Sequence, residues 1–108
     1  MYDLKIKNSK IVDGTGLNSF HGDIGIIDGI IVDRGKNLGS AKECYDAEGL
    51  VLCPGFIDVH THYDAQITWD ATASPSLDLG VTTAIIGNCG FTIAPCKPEH
   101  RELNIKNL

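Results

Sequence analysis

Asp28-Gly29 stands between two β-branched runs, Asp23-Ile24-Gly25-Ile26-Ile27 and Ile30-Ile31-Val32-Asp33. A two-residue Asp-Gly loop in that setting predicts a β-hairpin, because the turn that matches strand twist needs positive φ. Neighbouring segments read the same way. Leu4 and Ile6 alternate with Lys5 and Lys7, the period of a half-buried strand. Lys10-Ile11-Val12 is a second short piece, stopped by Asp13-Gly14-Thr15-Gly16. A further strand is expected from Glu43 to Asp46, and Leu50-Val51-Leu52-Cys53 follows the Glu48-Gly49 turn. The first half therefore reads as part of a small β-sandwich.

The pattern changes at Pro54-Gly55. Phe56-Ile57-Asp58-Val59-His60 is a short, mostly apolar run, as expected of a parallel strand covered on both faces. Residues 65 to 80 read as loop, with a helical turn near Ser76 to Leu79. Val81-Thr82-Thr83-Ala84-Ile85-Ile86 is a second buried-strand candidate, closed by Gly87-Asn88-Cys89-Gly90. A helix is expected to start at Pro98, where proline suits the first turn and Glu99 and Glu102 suit the dipole.

At 108 residues the chain allows one small domain or a piece of a larger one. Nine Lys and Arg against 14 Asp and Glu give a net charge of −5, with no basic cluster. That argues against a nucleic-acid or anionic-membrane partner. No apolar run approaches the ~20 residues that span a bilayer. The first seven residues lack the apolar core of a signal peptide, so the expected compartment is cytoplasmic. Cys44, Cys53, Cys89 and Cys96 are irregularly spaced with no Cys-x-x-Cys pair, which predicts free thiols.

His60-Thr61-His62 is the sharpest chemical feature. On a strand, residues two apart point to one side, so both imidazoles can face a common metal. The alternative is an exposed pair at a strand end. Asp58 shares their parity and either orients a ligand or forms a structural ion pair. Cys89 ends the second strand candidate at the same relative position. It is either a thiolate ligand or a small buried thiol. Cys44, Cys53 and Cys96 lack such a setting. His21, in a polar turn region, and His100, in the terminal helix, read as solvated. The sequence carries no Gly-x-Gly-x-x-Gly or Walker motif, no His-Glu-x-x-His and no Gly-x-Ser-x-Gly.

The run Asp46-Ala47-Glu48-Gly49-Leu50-Val51-Leu52-Cys53-Pro54-Gly55-Phe56-Ile57-Asp58-Val59-His60-Thr61-His62 resembles the start of the barrel in metal-dependent amidohydrolases. His60-Thr61-His62-Tyr63-Asp64-Ala65-Gln66, Gly80-Val81-Thr82-Thr83, Gly87-Asn88-Cys89-Gly90-Phe91 and Ala94-Pro95 resemble the N-acyl-D-amino-acid deacylases, or D-aminoacylases. The resemblance implies a β-sandwich segment over residues 1–53 and the first strands of a (β/α)8 TIM-like barrel over 54–108. It implies zinc, with His60, His62 and Cys89 as ligands, and Asp58, Tyr63 and Asp64 beside the ligands or on a substrate loop.

The implied reaction hydrolyses a small-molecule N-acyl-D-amino acid to a carboxylate and a D-amino acid. No catalytic residue is expected within the chain. The general-base Asp, later histidines and the remainder of the barrel are expected downstream. The chain therefore reads as an N-terminal portion, inactive alone and prone to self-association through residues 50 to 90. The other readings are a different metal-dependent amidohydrolase, such as a deaminase or a cyclic amidase of the dihydropyrimidinase or dihydroorotase type, the latter relying on a carboxylated Lys, and a non-catalytic β-domain or interaction module.

Overall fold

In the computed structural model, which describes residues 1–90 and 92–107, Asp28 and Gly29 have φ of 51° and 75°. Both lie in the left-handed region that the expected hairpin turn requires. The turn joins β2 (Phe20–Ile27) to β3 (Ile30–Gly35) as an antiparallel pair. Phe91, the last residue of the Gly-Asn-Cys-Gly-Phe motif, lies outside the described residues.

The chain divides into two compact units, Met1–Pro54 and Gly55–Leu108. In the first, Leu4-to-Lys7 and Lys10-to-Val12 are one continuous strand, β1 (Tyr2–Ile11), rather than two pieces. The register slips between Ile6 and Ser9, and Asn8 takes φ 56°. This is a bulge, and asparagine tolerates the left-handed backbone it needs. Asp23 accepts the Asn8 backbone N–H at 3.0 Å, and the Asn8 side-chain amide donates to Asp46 at 2.9 Å.

β4 (Ala41–Asp46) and β5 (Val51–Leu52) both run parallel to β1, on successive stretches of it. The chain steps from one to the other beside the bulge, where Ala47 N–H bonds Lys7 and Gly49 N–H bonds Asn8. Residues 2–52 thus form one five-stranded sheet in the order β3-β2-β1-β4, with β5 also on β1. Ile11, Ile24 and Ala47 are its buried apolar side chains. Full burial of an isoleucine is worth about 1.5–3 kcal/mol, so this core is small. His21 sits within β2, opposite Lys10, and not in a turn. The turn reading failed because His21 lies among polar and glycine residues, whereas strand pairing is set by β1.

In the second unit, β6 (Phe56–Asp58) and β7 (Val81–Ala84) pair in parallel, as the two apolar runs suggested. Both are shorter than expected. β6 stops before His60 and β7 before Ile85. Phe56, Ile57 and Val59 are exposed rather than covered on both faces. A two-stranded parallel sheet offers no outer layer within this unit to cover them. A 3-10 turn at Leu77–Leu79 ends in Gly80, whose φ of 86° redirects the chain into β7. A second 3-10 turn, Pro98–His100, leads into α1 (Arg101–Asn107). No helix among the described residues is long and apolar enough to cross a membrane.

Candidate metal centre

The two strands deliver their C-terminal ends side by side. His60 and His62 follow β6, and Cys89 lies in a turn at Asn88–Gly90 after β7. None of the three is on a strand, so strand parity is not what brings them together. Loop geometry is. Cys89 has φ 57° and ψ 22°, a left-handed backbone that a non-glycine residue holds at a cost of about 1–3 kcal/mol.

The donor atoms converge. His60 Nε2 lies 3.3 Å from His62 Nε2 and 3.2 Å from Cys89 Sγ. The ligand atoms of all three residues fall within 4.8 Å of one another. Two nitrogens at zinc's usual bond length of ~2.0–2.1 Å in a tetrahedron lie about 3.3 Å apart, which is the separation of the two imidazoles. The rings stack with centroids 5.4 Å apart. All three side chains are exposed, so Cys89 is not a buried thiol. The donor set, two imidazoles and one thiol, suits zinc. A shallow cleft of about 310 Å³ opens beside it, lined by Asp58, His60, Thr61, His62, Tyr63 and Gln66.

The supporting residues divide into those anticipated and those not. Asp58 lines the same cleft as both imidazoles, and its hydrogen bond is to the loop backbone. Its Oδ1 accepts the His60 backbone N–H at 3.1 Å, tying down the first residue of the loop. Tyr63 shares a hydrogen bond with the Ser76 hydroxyl, 2.5 Å away. Asp64 is not a surface residue: it is 1% exposed, and its Oδ2 accepts the Gly87 N–H at 3.0 Å.

Thr61 and Asn88 were not singled out by the sequence. The Thr61 hydroxyl donates to the Ile85 carbonyl at 2.8 Å. The Asn88 amide donates to the carbonyls of Thr61 and Ile85, at 3.2 and 2.9 Å. Their positions, between the histidines and next to the cysteine, were the available signal. Cys44, Cys53 and Cys96 are free and stand outside this cluster.

Residues 43–104, more than half of the chain, match the amidohydrolase family. The chain belongs to that family. An N-acyl-D-aspartate deacylase of Alcaligenes xylosoxydans xylosoxydans is 37% identical over 94 residues, covering 86% of this chain and 19% of that protein. A D-aminoacylase variant in complex with copper chloride superposes with a TM-score of 0.82 at 32% identity, covering 96% of this chain and 23% of the other. An N-acyl-D-glutamate deacylase from Bordetella bronchiseptica, complexed with zinc and a phosphonate inhibitor, gives 0.75 at 37% identity, over 88% and 20%. This amidohydrolase chain spans about a fifth of the length of such relatives.

Proposed function

We propose that the chain supplies the first metal ligands of a zinc-dependent enzyme that hydrolyses N-acyl-D-amino acids. The observation that carries this reading is the convergence of His60 Nε2, His62 Nε2 and Cys89 Sγ within 4.8 Å. The names of the relatives support the substrate class. In this reading β6 and β7 are the first strands of a (β/α)8 barrel, whose chemistry sits at the C-terminal strand ends. The five-stranded sheet belongs to its β-sandwich, and the enzyme works in the cytoplasm.

His60 and His62 would hold the ion through neutral imidazole nitrogens, and Cys89 through its thiolate. When bound, zinc supplies a Lewis acid that polarises the amide carbonyl and lowers the pKa of a water from 15.7 towards about 7. Asp58 holds the His60 backbone, and Thr61 and Asn88 hold the two loops at a fixed spacing. The cleft beside Tyr63 and Gln66 would receive the acyl-amino acid. Water adds hydroxyl to the acyl carbon and a proton to the amine as the C–N bond breaks. The general base is an Asp from outside these 108 residues.

The thiol donor favours a deacylase over a cyclic amidase built on a carboxylated Lys. Assaying the full-length protein on N-acetyl-D-amino acids, N-acetyl-L-amino acids, hydantoins and dihydroorotate separates the readings. Turnover of D-substrates alone, abolished by chelation and restored by zinc, is the expected result. Turnover of the cyclic amides alone would replace this reading, and turnover of none would leave the β-domain reading.

A further inference from the structure

Asp64 is the most deeply buried acidic side chain near the cluster, at 1% exposure. A carboxylate is costly to bury unless something uses its charge or its acceptor capacity. One oxygen, Oδ2, accepts the Gly87 N–H at 3.0 Å. The other, Oδ1, is buried with no hydrogen-bond partner among the described residues. A residue that merely filled space would not carry that cost. The bond spans 23 positions of sequence and joins the two loops that bear the ligands. Asp64 is two residues after His62, and Gly87 is two residues before Cys89.

Gly87 and Cys89 both have positive φ, at 84° and 57°. Between them the backbone turns sharply enough to aim the Cys89 sulfur back at His60. Gly87 lies beyond the end of β7, outside its ladder, and Asp64 supplies the acceptor for its N–H. Thr61 and Asn88 brace the same two loops through carbonyl groups, but neither reaches the amide that starts the turn.

We infer that Asp64 is a positioning residue that sets where the Cys89 sulfur stands relative to the His60–His62 pair, acting through the Gly87 N–H. The inference rests on the metal reading above and deepens it. Outer partners of metal ligands typically change affinity by about 10–100-fold when removed.

Cobalt(II) in place of zinc makes the thiolate visible through its sulfur-to-metal absorption band. In the full-length protein loaded with cobalt, Asp64→Ala is expected to weaken the band and lower cobalt affinity by about 10–100-fold. Asp64→Asn keeps an oxygen acceptor for Gly87 and is expected to keep both. If Asp64→Ala does not fold, hydrogen exchange on the unsubstituted protein decides. Cobalt should slow exchange of the Gly87 amide by about tenfold, since coupling between two sites is reciprocal. An unchanged band and affinity in a folded Asp64→Ala, or Gly87 protection indifferent to cobalt, would reduce Asp64 to a structural residue. A band in the unsubstituted protein with that outcome removes this inference alone. The absence of any band in the unsubstituted protein, with cobalt bound, removes Cys89 from the metal reading, and this inference with it.

Discussion

The sulfur of Cys89 lies 3.2 Å from Nε2 of His60, although 29 positions separate the two residues in sequence. The parallel pairing of β6 and β7 accounts for half of this, because it brings the two C-terminal ends to one side. The other half is made by the loops, through the bonds of Thr61, Asp64 and Asn88.

Cys89→Ala in the full-length protein should lose zinc by more than about 100-fold, beyond what loss of an outer partner costs. Hydrolysis should fall with it. Cys44→Ala and Cys96→Ala should retain both, because those sulfurs stand apart from the cluster. Metal analysis of the three purified variants checks this. Full zinc occupancy in Cys89→Ala would make the thiol a bystander.

The 108 residues alone should show no deacylase activity with added zinc. Three ligands without a general base can hold an ion but leave proton transfer unassisted, a contribution of typically 10²–10⁴-fold. Incubation with N-acetyl-D-amino acids and detection of free amine tests it, and zinc-dependent turnover by the purified chain would be contrary.

Acid should act on two carboxylates. Asp46 is held down to about 2 from 3.8 by the Asn8 amide, the Glu48 N–H and Lys7. Asp70 is held at about 2 by the Thr72 hydroxyl, the Gln66 amide and the N–H groups of Ser74 and Thr72. A carboxylate depressed in the folded state stabilises it above the unfolded value and loses that contribution as pH falls towards the folded one. Stability should therefore drop between about pH 4 and pH 2. The Asp46→Asn, Asp70→Asn double variant should show a shallower drop in its urea midpoint over that window. An identical slope would mean that these bonds do not persist in solution.

How much of this was legible from the residues depends on distance along the chain. The Asp28-Gly29 hairpin was legible because its cause is local: two left-handed residues between β-branched runs. The continuity of β1 was not. Asn8 looks like a break, and what makes it a bulge instead is bonding to Asp23 and Asp46, 15 and 38 positions away. The candidate donors His60, His62 and Cys89 were legible as residue types, but the route to their convergence was not. Strand parity predicts a common side for His60 and His62, yet both lie past the end of β6. Asp64 read as a loop residue because its partner, the Gly87 N–H, lies 23 positions away, where no local pattern announces it.

The isolated chain should also self-associate. Phe56 and Ile57 are exposed on a strand pair whose outer edges have no partner among the described residues, and Val59 is exposed just past its end. Open apolar edges recruit other chains. Sedimentation at micromolar concentration should show species larger than a monomer. A stable monomer with slow exchange at β6 and β7 would contradict this.

Zinc K-edge absorption on the zinc-loaded, full-length protein tests the central claim most directly. It should show one sulfur at about 2.3 Å together with nitrogens at about 2.0–2.1 Å, and the sulfur should vanish in Cys89→Ser. A shell of nitrogen and oxygen alone in the unsubstituted protein, or a sulfur that survives in Cys89→Ser, would contradict a centre built from His60, His62 and Cys89.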